Sequence, residues 1–211
     1  MVARDEVRVI PYGIVLERFA LAPAAADRAL ALRAAWGNKP VVLAVGRLVG
    51  YKGFDVLVRA VAGLDVTTVI VGAGPEEPRL RALAPPGVVF AGRVADADLP
   101  AYYHACDAFC LPSLTIAEAF GVVLLEAMAC GKPLVTTALR TGVTAVNREG
   151  ITGLVVPPGD VGALHEALGA LAGDAARRKA MGEAGRRVVE KEYSAALMAD
   201  RYLTLYREAL A

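Results

Sequence analysis

The chain has 211 residues, with 23 Lys plus Arg against 22 Asp plus Glu and a formal net charge of +1. Near-neutrality excludes a globally basic coat for nucleic acid and a polybasic membrane surface, and leaves only local clusters. Hydrophobic residues make up 56% of the chain, yet charges interrupt every apolar run before the roughly 18 residues that a membrane-spanning helix needs.

The opening stretch MVARDEVRVIP contains no apolar secretory core. Cys106, Cys110 and Cys130 are an odd number set among apolar neighbours, which points to buried thiols in a reducing, cytoplasmic compartment. In chain order, residues 7–10 read as a short β-like run stopped by Pro11-Tyr12-Gly13. An alanine-rich stretch occupies 21–35. From Pro40 a regular alternation begins, with a strand at 41–45 ending in Gly46 and a helix over 54–62. Strands at 66–71, 88–91 and 108–111 alternate with helices at 76–83, 96–105 and 122–129, followed by strands at 134–136 and 154–156. Beyond Asp160 the pattern is helical over 161–171, 175–190 and 194–210, the last keeping Leu197, Tyr202, Leu205 and Tyr206 for packing.

Strands apolar on both faces and alternating with helices predict a parallel sheet covered on both sides. The expected fold is therefore α/β, a Rossmann-like doubly wound sheet with a C-terminal helical tail. Ligands of such sheets bind beyond the carboxyl ends of the strands, so the loops after the strands carry the functional interest.

The first such loop is Gly46-Arg47-Leu48-Val49-Gly50-Tyr51-Lys52-Gly53. Two cations five positions apart between glycines suit a diphosphate, Arg47 as a fork and Lys52 as a point charge. The same residues also read as two solvated cations on a loop. The second loop is PSLTIAEAFG, which places Glu118 just before a helix starting at Gly121 and Glu126 inside it. A carboxylate in an otherwise apolar helix needs a cleft, a cation or a ligand hydroxyl if it is buried. Otherwise Glu126 belongs to the solvent face and Glu118 complements the helix dipole.

Other patterns are weaker. Gly72-Ala73-Gly74 follows a strand, but Pro75-Glu76-Glu77-Pro78 does not complete a dinucleotide fingerprint. His104 and His165 lie in no metal-ligand spacing. Ser113 has no His/Asp partner motif for nucleophilic work and is expected to shape its loop with Pro112.

Taken together, VIPYGI, VGRLVGYKGFDVLVRAV, VGAGPEEPRL, VFAGRV, LPAYYHACDAFCLPS, EAFGVVLLEAMACGKPLVTT and EGITGLVVPPGD resemble a known family over residues 9–211. It is the carboxyl-terminal, donor-binding lobe of a GT-B fold, family 4 retaining glycosyltransferase, similar to bacterial enzymes that build O-antigens and other surface polysaccharides. Glu-x7-Glu in EAFGVVLLE is its most specific element. The resemblance implies catalytic roles for Arg47 and Lys52 on the donor diphosphate and for Glu118 on hydroxyls of the transferred sugar. It gives Glu126 the ribose hydroxyls, Val94 a place beside the nucleobase, and Gly46 with the backbone amides of Phe120, Gly121 and Val122 a share in donor binding. The donor would be a UDP- or GDP-sugar, transferred as a hexose to a glycan or lipid-linked acceptor, with no metal or cofactor. Removing Arg47 or Lys52 is then expected to abolish diphosphate binding and leave the fold intact.

The same resemblance divides the chain into an inter-lobe segment and linker helix (1–38), the nucleotide-sugar-binding lobe (39–192) and a C-terminal helix (193–211) that crosses to a first lobe. That acceptor-binding lobe, roughly 150–200 residues on ordinary domain sizes, would lie outside this chain, leaving it inactive alone. The intact enzyme would be cytoplasmic, at most peripheral to the inner membrane, and the final helix open to self-association. The alternative is a stand-alone nucleotide-binding module or a subunit of a split enzyme. Val15 stands where relatives often carry Asp, which removes an acceptor from the inter-lobe segment.

Overall fold

The computed structural model describes residues 7–210. Six strands, β1 (Val41–Val45), β2 (Thr67–Val71), β3 (Val88–Gly92), β4 (Ala108–Leu111), β5 (Leu134–Thr137) and β6 (Gly153–Val156), form one parallel sheet in the order β3-β2-β1-β4-β5-β6. Register runs from Val41 beside Thr67 to Val45 beside Val71, and from Val42 beside Ala108 across the centre. Two three-strand runs thus wind outward from β1 and β4, and the order reverses between them.

Alternation along each strand divides the core. Val41, Leu43 and Val45 pack on one face with Tyr103, Leu124, Leu125, Met128 and Val189. Val42 and Ala44 pack on the other with Leu57, Leu80, Leu164 and Leu168. The first face carries α4 (Leu99–Ala105), α5 (Val122–Ala129) and α8 (Ala175–Glu192); the second carries α2 (Phe54–Ala60), α3 (Glu77–Leu83) and α7 (Val161–Gly173). A further helix, α1 (Pro23–Trp36), lies on α4 through Ala29, Ala101 and Ala105. The five-residue α6 (Gly142–Val146) was not evident in the sequence; Thr141 caps it. No helix among the described residues is long and apolar enough to cross a membrane. All three cysteines are free and buried, and burial pushes the Cys106 thiol up to about 12.

Three sequence expectations are corrected. Residues 7–13 form no strand; only Ile14 bridges, to Ser194. The sheet edges are β3 and β6, and this segment runs instead along α9 (Ala195–Leu210), tied by Arg8 to Glu208 at 3.1 Å and by the Ile14 amide to the Tyr193 carbonyl at 2.9 Å. Helix α4 begins at Leu99 rather than 96, because the Asp98 and Leu99 amides close a turn on the Ala95 carbonyl. In α9, Leu197 and Leu205 line a cavity against residues 8–10, whereas Tyr202 and Tyr206 remain 42% and 60% exposed.

Val15 sits at the N-cap of a short 3-10 turn, Leu16–Phe19, and supplies no capping hydrogen bond. It is 49% exposed, so little apolar burial is at stake. An aspartate would offer an acceptor to the turn's free amides. Val15→Asp is expected to raise the melting temperature by about 1–3 °C, measured by differential scanning calorimetry.

Candidate active site

Two loops meet at the carboxyl ends of β1 and β4, where the strand order reverses. The first turns from Gly46 through a 3-10 turn, Gly50–Lys52, into α2. Gly53 has φ +68, and a Cβ there would lie 2.1 Å from the Pro112 carbonyl oxygen of the second loop. Only glycine lets the two backbones approach so closely.

Lys52 bridges the loops. Its Nζ donates to Glu118 Oε2 at 2.5 Å, and Ser113 Oγ donates to the same oxygen at 2.8 Å. The ion-pair side chains are only 12% and 9% exposed, and Ser113 is fully buried. Thr137 at the end of β5 donates to the Ser113 carbonyl and holds that residue in place. Arg47, by contrast, is exposed, and its guanidinium donates to the Tyr51 hydroxyl at 3.5 Å. One cation is thus locked to an acid and the other is open.

Gly46 and Arg47 share a cleft of about 190 Å³ with Gly72, Ala73 and Val94, and Asp96 stands at its edge. The glycines after β2 answer to packing rather than to a dinucleotide: a Cβ on Gly72 would lie 1.8 Å from the Gly46 oxygen, and one on Gly74 2.3 Å from that of Leu48. Larger cavities lie elsewhere, about 570 Å³ between α1 and the α4–β4 turn and about 350 Å³ beside α9.

Beyond the β4 loop, Gly121 is the N-cap of α5 and supplies no side-chain cap, so the first amides of the helix keep their donors free. Phe120 is wedged between Tyr12 and Tyr193, with ring centroids 5.5 and 6.1 Å away. Val122 is 40% exposed at the helix start. One turn further, Glu126 is half-buried and accepts a 2.6 Å hydrogen bond from the Tyr103 hydroxyl. Burial is the main cause that raises its carboxyl above the usual range, with Asp96 adding to it; the Tyr103 bond and Arg18 pull it down.

Lys52 and Glu118 are therefore in direct contact, and Gly46, Arg47 and Val94 line one cleft. Phe120, Gly121, Val122 and Glu126 follow one another along the start of α5. Ser113, read from the sequence as a residue that shapes its loop, and Tyr103, given no functional role there, hold the two carboxylates. Their polar tips in apolar surroundings were the available signal. Among the described residues no group of three or more His, Cys, Asp or Glu side chains is gathered as a metal site.

Residues 33–188 match the family described as "Glycosyl transferases group 1". The chain belongs to this family. It is 35% identical over 172 residues to O-antigen chain mannosyltransferase C of Escherichia coli, covering 80% of this chain and 46% of that protein. A GDP-mannose-dependent alpha-(1-6)-phosphatidylinositol monomannoside mannosyltransferase of Mycolicibacterium smegmatis is 38% identical over 192 residues, covering 84% and 50%. Sucrose-phosphate synthase from Thermosynechococcus elongatus superposes with a TM-score of 0.85 at 31% identity, over 96% of this chain and 52% of that one. This group 1 glycosyltransferase chain thus spans about half the length of the curated relatives it matches, and its sheet is a GT-B-type lobe.

The buried ion pair adds a stability cost to removing Lys52, beyond the expected loss of diphosphate binding with the fold intact. Taking away one partner of a buried pair leaves an uncompensated charge, at a cost of about 3–5 kcal/mol. Lys52→Met is expected to lower the melting temperature by roughly 6–20 °C, and Lys52→Met/Glu118→Gln to recover most of that loss. Calorimetry on the two variants and on Glu118→Gln completes the cycle.

Proposed function

We propose that this chain is the donor-binding lobe of a retaining glycosyltransferase, which transfers a hexose from a GDP- or UDP-sugar to a glycan or lipid-linked acceptor in surface-polysaccharide synthesis. The observation that carries this reading is the convergence of Arg47, the Lys52–Glu118 pair and the uncapped start of α5 on one switch point. A departing nucleoside diphosphate needs preorganised positive charge and amide donors where its own charge develops. Arg47 is free to fork onto the diphosphate, and Lys52 stands ready to bridge it to Glu118. Glu118 takes hydroxyls of the transferred sugar, the amides of Phe120, Gly121 and Val122 take sugar and phosphate oxygens, Glu126 takes the ribose, and the base lies beside Val94. The cations and amides do the work of a divalent metal.

The cleft volume of about 190 Å³ is below the ~300–1,000 Å³ of ordinary ligand sites. That supports a second lobe as the other wall, with the exposed side of α9 facing it. Sugar transfer then requires that lobe, whereas nucleotide binding does not. The mannosyltransferase relatives favour GDP-mannose as the first donor to test.

The test is a thermal-shift and calorimetric panel of GDP, UDP, ADP and NAD, with and without EDTA. A diphosphate at 100 times its Kd stabilises by about 2.7 kcal/mol, or roughly 5–10 °C. GDP or UDP is expected to give this shift, unchanged by EDTA and weakened at least tenfold in Arg47→Ala, a variant that removes an exposed side chain. A shift with NAD alone, or with no nucleotide, overturns the reading.

A further inference from the structure

Glu126 and its neighbour Tyr103 carry an inference that rests on the ribose assignment just proposed. We infer that Tyr103 is a positioning residue for nucleotide recognition: its hydroxyl holds Glu126 Oε2, so that Oε1 is presented to the ribose diol.

Tyr103 lies on α4 and is wholly buried, its ring 6.1 Å from that of Phe19 and 5.6 Å from that of Phe109. That packing leaves the phenol no freedom to swing, and it aims the hydroxyl across to α5. There it donates to Glu126 Oε2 at 2.6 Å. Burial first, and then Glu126, keep the phenol well above its ordinary titration range. Tyr103 is therefore a permanent donor, and Oε2 a permanently occupied acceptor. Glu126 Oε1 takes no hydrogen bond among the described residues, yet it is not sealed away from solvent. A half-buried carboxylate with one oxygen anchored and the other open suits a bound hydroxyl, because its rotamer is chosen before the ligand arrives.

The bond also bears on charge. Groups facing Glu126 are Tyr103 from α4, Arg18 from the turn before α1, Asp96 from the loop before α4, and the buried Cys130 thiol at the end of its own helix. Burial and Asp96 favour the protonated carboxyl, and Tyr103 and Arg18 oppose them. Without the Tyr103 hydroxyl, Glu126 protonates at a higher pH and becomes a poorer acceptor for a diol.

Tyr103→Phe keeps the ring and its packing and removes only the hydroxyl. The experiment is isothermal titration of GDP and UDP, and of their 2′-deoxy counterparts, into the wild-type chain, Tyr103→Phe and Glu126→Gln, across pH 5–8. The preference for the ribonucleotide is expected to fall about tenfold in Tyr103→Phe, while the deoxynucleotide binds within twofold of wild type. As pH falls, the remaining preference should be lost at a higher pH than in wild type. A preference lost in Glu126→Gln but intact in Tyr103→Phe overturns the positioning role alone. Equal weakening of both nucleotides in Tyr103→Phe also overturns it, since a packing defect would act in that way. A preference intact in both variants overturns the ribose assignment, and this inference with it; absence of all nucleotide binding overturns the proposed function itself.

Discussion

A parallel sheet covered by helices on both faces leaves only its two ends for polar chemistry. In this chain β1, β2, β4 and β5 are buried along their whole length, so no side chain of these four strands is free to meet a ligand. Every charged group argued to act on a ligand sits in a loop at the carboxyl ends or at the start of the helix that follows. Strand order reverses between β1 and β4, the position at which such sheets take their ligands, and the loops that follow these two strands meet there through Lys52 and Glu118.

Within that crevice the two cations have different duties. Lys52 is spent partly on the protein itself, because its ion pair with Glu118 ties the β1 loop to the β4 loop, with Ser113 and Thr137 behind it. Arg47 carries no such bond to an acid among the described residues and remains exposed. A ligand phosphate would therefore meet one charge whose position is already set and one that can adapt. The acids show the same economy: each has one oxygen, Oε2, held by a buried hydroxyl, Glu118 by Ser113 and Glu126 by Tyr103.

Residues 12–14 and the segment that opens α9 are joined to the same region. At the root of α9 the Ile14 amide donates to the Tyr193 carbonyl and the Ile14 carbonyl accepts from the Ala195 amide, and Tyr12 and Tyr193 enclose Phe120 from either side. Phe120 immediately precedes Gly121 and the free amides of α5. The segments leading into and out of the lobe thus touch the loop that would receive a donor, and the group 1 glycosyltransferase relatives extend well beyond the lobe.

The sequence by itself determined the alternation of strands and helices, the doubly wound class and the two loops that matter, since period, glycine placement and apolar runs are local properties. It also singled out Arg47, Lys52, Glu118 and Glu126 as candidates, through the family resemblance that their motifs carry. It misassigned residues 7–10, because a β-like run becomes a strand only where it pairs with a sheet edge, and this segment packs along α9 instead. Partnership was decided by tertiary structure alone. That Lys52 neutralises Glu118 across 66 positions, or that the Tyr103 hydroxyl reaches Glu126 from a neighbouring helix across 23, depends on how loops and helices pack over a common sheet. Hydrogen bonds and ion pairs act over about 3 Å, a distance on which separation along the chain says nothing.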